Sequence, residues 1–151
     1  DSLGSFVAAR GGFLTWHTHK FDELCLIEQT PTTIGHAGKK YPAKVGSLFL
    51  FRRGEPHGYW NAPNESPRLW VVHYHPEPAL YKSLPGLTAV DPLKRIWQLS
   101  PEQIEAFLAI HMKLSIERTL SRVAGGAATE ISRPTRRQLP AVQHLFRLGA
   151  G

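Results

Sequence analysis

Three histidines and one glutamate set out the chemistry open to this chain. His17, His19 and Glu23 lie close together in the run Trp16-His17-Thr18-His19-Lys20-Phe21-Asp22-Glu23, and His57 follows in a second stretch, Gly46 to Asn61. Residues two apart on a β-strand face the same side, so a strand would aim His17 and His19 together. Glu23, opening the next strand after a tight turn, is able to face them, and His57 is able to join from a neighbouring strand. Three imidazoles and a carboxylate suit a first-row divalent metal and leave up to two octahedral positions for water or a bidentate small molecule. Spacing alone leaves a second reading open, in which the histidines are exposed or hydrogen-bonded within the fold.

The elements that must position these residues are short. Between Phe6 and Tyr74, β-rich runs separated by Gly, Pro and Asn predict strands over Phe13 to His19, Glu23 to Gln29, Thr32 to His36, Ser47 to Phe51, Gly58 to Trp60 and Leu69 to His75. Closely spaced strands with turn residues between them indicate an all-β barrel or sandwich. Pro78, Pro85 and Pro92 then punctuate a connector running to about Asp91. After it, Ser100-Pro101-Glu102-Gln103 reads as a helix start, with Ser as cap, Pro at the first helical position and Gln103 closing a capping box. Ile104, Leu108, Met112, Ile116, Leu120 and Val123 form a stripe, broadened by Phe107 and Leu114, along about 33 Å of helix ending at Gly125-Gly126. A basic loop with Arg133, Arg136 and Arg137 leads to a shorter pattern of Leu139, Val142, Leu145 and Phe146. Both stripes need a partner surface. The reading divides the chain into a barrel, 1–91, and a helical segment, 92–151.

Composition narrows the class. With 151 residues, 42% hydrophobic and 20% charged, the chain has the material for one packed core. No apolar run approaches the roughly 20 residues that cross a bilayer, and no export signal is visible. The single cysteine, Cys25, rules out an internal disulfide and points to a reducing cytoplasm. The net charge of +6 is uneven: Lys and Arg number nine against eight Asp and Glu before Lys94, and nine against four from Lys94 onward. A solvated basic face accounts for that surplus as readily as contact with a polyanion. The only methionine is Met112, so the chain is expected to have been processed or cut from something longer.

The two histidine segments resemble the paired motifs of the cupin superfamily. One motif is a glycine followed after five residues by His-x-His-x3-Glu; the other combines a glycine, a Pro-x-Gly turn, a histidine and an asparagine. Gly11, His17, His19, Glu23, Gly46, Gly54, His57 and Asn61 fall at the family's spacings. Two turn positions depart from it, with Thr30 where a glycine is expected and Arg52 where the turn proline is expected. The resemblance implies a mainly β fold, a cupin double-stranded β-barrel (jelly-roll) followed by C-terminal α-helices. It also implies one divalent transition metal (Zn, Ni, Fe or Mn) on His17, His19, Glu23 and His57. Tyr59 and Cys25, in phase with His57 and Glu23, are placed with Thr15 as ligand-binding residues, while Trp16 points away. Cys25 reads as a small core residue rather than a thiolate ligand. His73 and His75 share a face, but a second metal site there is the weaker reading.

Fold alone assigns no activity. The order of barrel, connector and two amphipathic helices resembles the N-terminal sensor half of AraC-type transcriptional regulators. In that family a cupin-like pocket takes a small effector, often a sugar, and the following helices pair between subunits. The resemblance implies an effector-sensing module that forms a homodimer through Ile104, Leu108, Met112, Ile116 and Leu120. DNA would be reached only through a C-terminal half of two helix-turn-helix units, which this chain does not contain. Many members of that family have lost the metal ligands, whereas this sequence keeps four. The alternative is a metal-dependent cupin dioxygenase, isomerase or epimerase. Against it stand the shortage of an acid or base beyond the ligands and the long helical stripe. A metal-free storage or scaffold cupin is the third reading.

Overall fold

The computed structural model describes residues 3–7, 11–29, 32–75 and 78–124. Thr30, the basic loop with Arg133, Arg136 and Arg137, and the pattern from Leu139 to Phe146 lie outside the described residues, as do the side chains of Leu120 and Val123.

Among the described residues, nine antiparallel strands form two sheets. β1 (Leu3–Val7), β8 (Arg68–Tyr74), β3 (Asp22–Gln29), β6 (Ser47–Phe51) and β9 (Ile96–Gln98) make one, in that order. The second runs β2 (Phe13–His17), β7 (His57–Trp60), β4 (Thr32–His36) and β5 (Lys39–Ala43). A short helix α1 (Pro78–Ser83) and two 3-10 turns (Pro85–Thr88 and Pro92–Arg95) follow β8, and a long helix α2 (Pro101–Ala124) follows β9.

The six predicted strands are present, Thr32–His36 and Ser47–Phe51 with the predicted ends and the other four with shifted ones. β2 stops at His17, so His19 sits in the connection to β3 rather than on the strand. β1, β5 and β9 and the short helical turns of the connector are additional. β5 has the sequence Lys39-Lys40-Tyr41-Pro42-Ala43, an exposed sheet edge where a proline and two lysines are tolerated because no further strand needs its backbone. β9 lies beyond Asp91, yet it pairs with β6 through Ser47–Gln98, Leu48–Trp97 and Phe49–Ile96.

β3 is buried on both faces from Asp22 to Ile27. Leu24 and Leu26 share a core with Leu48, Leu50, Val72, Leu80, Leu87 and Phe107, which fixes α1 and α2 to one face of the five-stranded sheet. Cys25 and Ile27, on the opposite face, pack with Phe49, Phe51, Leu69 and Ile34 of the second sheet. Continuous apolar sequence in β3 and β6 follows from this double burial.

The start of α2 is as predicted: Ser100 N–H donates to Gln103 Oε1 (2.8 Å) and Gln103 N–H to Ser100 Oγ (3.3 Å), a reciprocal capping box. Its buried face differs from the predicted stripe. Among its described side chains Phe107, His111 and Leu114 are buried, with Ile104, Leu108 and Ile110 packed beside the core, while Met112 and Ile116 are 60% and 54% exposed. A row spaced by four residues drifts by about 40° per step around a helix. Ile104 and Leu108 therefore begin on the barrel and Met112 and Ile116 end facing outward.

Candidate metal and ligand site

The cavity lies between the two sheets and has a volume of about 260 Å³. From the five-stranded sheet it receives Glu23, Cys25, Phe51, Leu69, Val71 and His73; from the other side come Leu14, His17, His19, Ile34, His57 and Tyr59. Strand phase explains these positions, since Glu23 and Cys25, and Leu69, Val71 and His73, alternate with residues facing α2.

His17 and His57 are opposite one another across the β2–β7 pair, beside a register shift between Leu14 and His17. Their ring centroids are 4.2 Å apart, and the His19 ring lies 4.8 Å from each. Coordinating atoms of His17, His19 and His57 lie within 4.8 Å of one another, and those of His19, Glu23 and His73 form a second such set. His19 reaches the group because Gly54 N–H donates to its carbonyl (2.8 Å), tying the β2–β3 connection to the turn before β7. Gly54 has φ +74°, a conformation that disfavours a Cβ. That turn closes without the family's proline: Glu55 N–H donates to the Arg52 carbonyl (2.9 Å), and Arg52 N–H to Glu55 Oε2 (3.1 Å). Gly46, at φ +86°, starts β6 where an added Cβ would lie 2.6 Å from Gln98 Nε2 and 2.7 Å from the Leu99 carbonyl.

The tautomers follow from the carbonyl partners. His17 Nδ1 donates to the Thr15 carbonyl and His57 Nδ1 to the Glu55 carbonyl, both at 2.9 Å. A carbonyl only accepts, so each ring turns a bare Nε2 toward the cluster. His57 Nε2 is buried and has no hydrogen-bond partner among the described residues; Glu23 Oε2 is 3.8 Å away. A buried lone pair without a donor, beside a carboxylate and two further imidazoles, fits a cation. His17, His19, Glu23 and His57 are the residues that would hold it, and a divalent ion would supply Lewis acidity and positive charge at the cavity's polar end.

Glu23 is the electrostatic centre. Burial works to raise its pKa, but hydrogen bonds from His19 and His73, with the adjacent His57 ring, outweigh that and hold the carboxyl far below the usual range. Burial is the main cause of a lowered pKa at His17, opposed by its bond to the Thr15 carbonyl and aided by the nearby His57 and His19. Both groups are thus in the protonation state a cation requires. Burial pushes the Cys25 thiol well up, so it stays protonated as part of the wall.

Tyr59 and Cys25 line the cavity as expected from phase. Thr15 does not; its side chain is exposed and only its carbonyl serves the site, because the register shift in β2 interrupts the strand alternation. Trp16 points away and packs edge-on against Trp60 at 5.1 Å, above Gly35. His73, expected only to share a face with His75, joins the cluster instead. Its Nε2 donates to Glu23 Oε2 at 2.6 Å, because Glu23 and His73 are paired across β3 and β8. The available sign was the phase of Leu69, Val71 and His73 on one strand face. His75, expected to share that face, is exposed.

A second buried charge cluster adjoins the site. Arg95, 1% exposed, donates from Nη1 and Nη2 to the two carboxylate oxygens of Glu55 (2.7 and 2.5 Å) and from Nη1 to the Leu50 carbonyl (3.0 Å). His36 donates from Nε2 to the Pro92 carbonyl (2.9 Å) and sets Nδ1 3.7 Å from Glu55 Oε2. Glu55 therefore joins the segment that precedes α2, through its carboxylate, to His57, through its carbonyl.

The model of the AraC-like ligand binding domain matches residues 4–132. The chain belongs to that family. Among solved structures, this AraC-like domain is similar to a conserved protein of unknown function from Streptococcus pyogenes (21% identity, 50% of this chain and 64% of that one, TM-score 0.43). A predicted oxalate decarboxylase from Thermotoga maritima is similar at 22% identity over 47% of this chain and 63% of that one, TM-score 0.45. A cupin-2 domain containing protein from Shewanella frigidimarina shares 17% identity over 46% and 63%, TM-score 0.37. The AraC-like chain thus spans less than two thirds of the length of each of these three. Comparison with curated proteins finds no match. The fold is that of a cupin, with two antiparallel sheets and a C-terminal helix. No described helix is long and apolar enough to cross a membrane.

Proposed function

We propose that this AraC-like domain is the effector-sensing and dimerisation part of a cytoplasmic AraC-type transcriptional regulator. A small molecule enters the cavity beside a divalent metal on His17, His19, Glu23 and His57, with Tyr59 and Cys25 in the wall. Residues 1–91 supply all of the barrel but β9, and residues 92–151 supply β9 and the helical segment that pairs in a homodimer. DNA is reached through a part of the protein outside this chain.

One observation carries the reading. β3 holds Glu23 and Cys25 on its cavity face and Leu24 and Leu26 on the face that shares a core with Phe107 of α2. Packed interiors transmit displacement rather than absorb it, so a ligand that shifts Glu23 biases the seat of the helix. Arg95 and Glu55 give a second connection from His57 to the residues before α2. Two sites joined through shared strands are what coupling between effector and dimer requires.

Met112 and Ile116 form the outward apolar pair of α2, while Ile104 and Leu108 already pack beside the barrel core. Ile116→Asp is therefore expected to give a folded monomer by light scattering, whereas Leu108→Asp destabilises the barrel as well. An unchanged dimer mass in Ile116→Asp removes α2 from the interface. The reading frame that encodes this chain is expected to continue into two helix-turn-helix units; termination near Gly151 would overturn the regulator reading in favour of a metal-dependent enzyme.

A further inference from the structure

Resting on the reading of the cavity as an effector seat, we propose that its ligand is a small monoanion with a compact apolar body, such as a monocyclic aromatic carboxylate, and not a sugar. The cavity is chemically two-ended. Its polar groups are concentrated at the cluster of His17, His19, Glu23, His57 and His73. Leu14, Ile34, Phe51, Leu69 and Val71 form the remaining wall, with Tyr59 and Cys25 the only other side chains there that carry a polar atom. A thiol is a weak donor, and Cys25 is 4% exposed.

A sugar brings a hydroxyl on nearly every carbon. Each hydroxyl buried against aliphatic wall without a partner loses its water hydrogen bonds, at a cost of about 1–3 kcal/mol. One polar end cannot serve hydroxyls all around a ring. A molecule with one polar head and an apolar body matches both ends at once, and its burial gains roughly 25 cal/mol per Å² of apolar surface. Size agrees: an apolar protein cavity of about 150 Å³ accommodates benzene, and this one measures about 260 Å³.

The sign of the head group follows from charge balance. Three neutral imidazoles, one carboxylate and a divalent cation sum to +1, which attracts an anion. Without the cation, that end loses two positive charges and the attraction with them. Anion affinity must therefore depend on metal, while affinity for a neutral isostere of the same shape must not.

The test is calorimetric titration of the chain, metal-loaded and after chelator stripping, with benzoate, its neutral isostere benzamide, and L-arabinose. Benzoate is expected to bind the loaded chain and to lose at least ~tenfold in affinity on stripping, as removal of a divalent charge a few ångströms away demands. Benzamide should bind both forms alike, and arabinose neither. Val71→Phe, which narrows the apolar wall, should weaken benzoate while leaving metal content unchanged. Arabinose binding as tightly as benzoate, benzoate affinity indifferent to metal or to Val71→Phe, or no benzoate binding to the loaded chain overturns the ligand class. Conversion of bound benzoate to a new product, followed by chromatography, leaves the class standing and overturns instead the effector reading on which it rests.

Discussion

Glu23 and Glu55 are two carboxylates in similar settings with opposite partners. Their side chains are 10% and 15% exposed, and hydrogen bonds hold both below the ordinary carboxylate pKa against the burial that would raise them. Glu55 is satisfied by a permanent cation, the guanidinium of Arg95, in a two-point contact. Glu23 has only imidazoles, one of which presents a buried lone pair with no donor among the described residues. The first cluster is balanced by a fixed charge, although His36 Nδ1 and Arg95 Nε in it are also buried without a hydrogen-bond partner among the described residues. The second has no fixed cation, and it is the one that faces a cavity.

The largest effect is expected where that charge balance is broken. Arg95→Met leaves the Glu55 carboxylate buried without its cation and should cost about 3–5 kcal/mol in urea unfolding, as for other buried pairs that lose one member. Adding Glu55→Gln should recover most of the loss. A cost below 1 kcal/mol for Arg95→Met would make the Glu55 cluster no more structural than the Glu23 one.

Glu23→Gln is expected to do the reverse. In metal-free protein it removes a buried charge that no fixed cation balances, so stability should be unchanged or higher, while bound metal falls steeply. Destabilisation of the metal-free chain comparable to that of Arg95→Met would erase the contrast between the two carboxylates.

The smallest effect is a pH dependence. Burial lowers the pKa of His36 below its ordinary 6.5, outweighing the bond to the Pro92 carbonyl and the Glu55 charge that raise it. A group with a depressed folded-state pKa contributes stability that is complete above its unfolded value and is lost as pH falls through the folded one. Stability should therefore begin to decline below about pH 6.5 through His36 and His17, and decline again below about 4.5 through Glu55 and Glu23. His36→Gln, which keeps a donor for Pro92, should flatten the first decline and leave the second; an unaltered slope between pH 7 and 5.5 would assign it elsewhere.

The contrast also shows what the sequence made legible. His17, His19, Glu23 and His57 were readable because strand period and turn glycines at Gly46 and Gly54 impose their spacing locally. Arg95 was not, since its partner is 40 residues away and nothing near it signals a carboxylate. His73 was readable as a face but not as a partner, because its link to Glu23 depends on the β3–β8 register. Thr15 was misplaced in the wall because a register shift does not announce itself in composition. In the fold, β5 escaped notice because an edge strand needs no apolar alternation, and β9 because three residues carry no period. The stripe on α2 was found, but its drift around the helix separated the residues that face the barrel from those that face outward.

The central claim, a metal held by His17, His19, Glu23 and His57, is tested most directly by elemental analysis of the native protein beside His57→Ala. Removing the imidazole whose Nε2 has no hydrogen-bond partner among the described residues should reduce a metal content of roughly one divalent ion per chain by tenfold or more, with the fold retained by circular dichroism. Undiminished metal in His57→Ala would contradict the assignment.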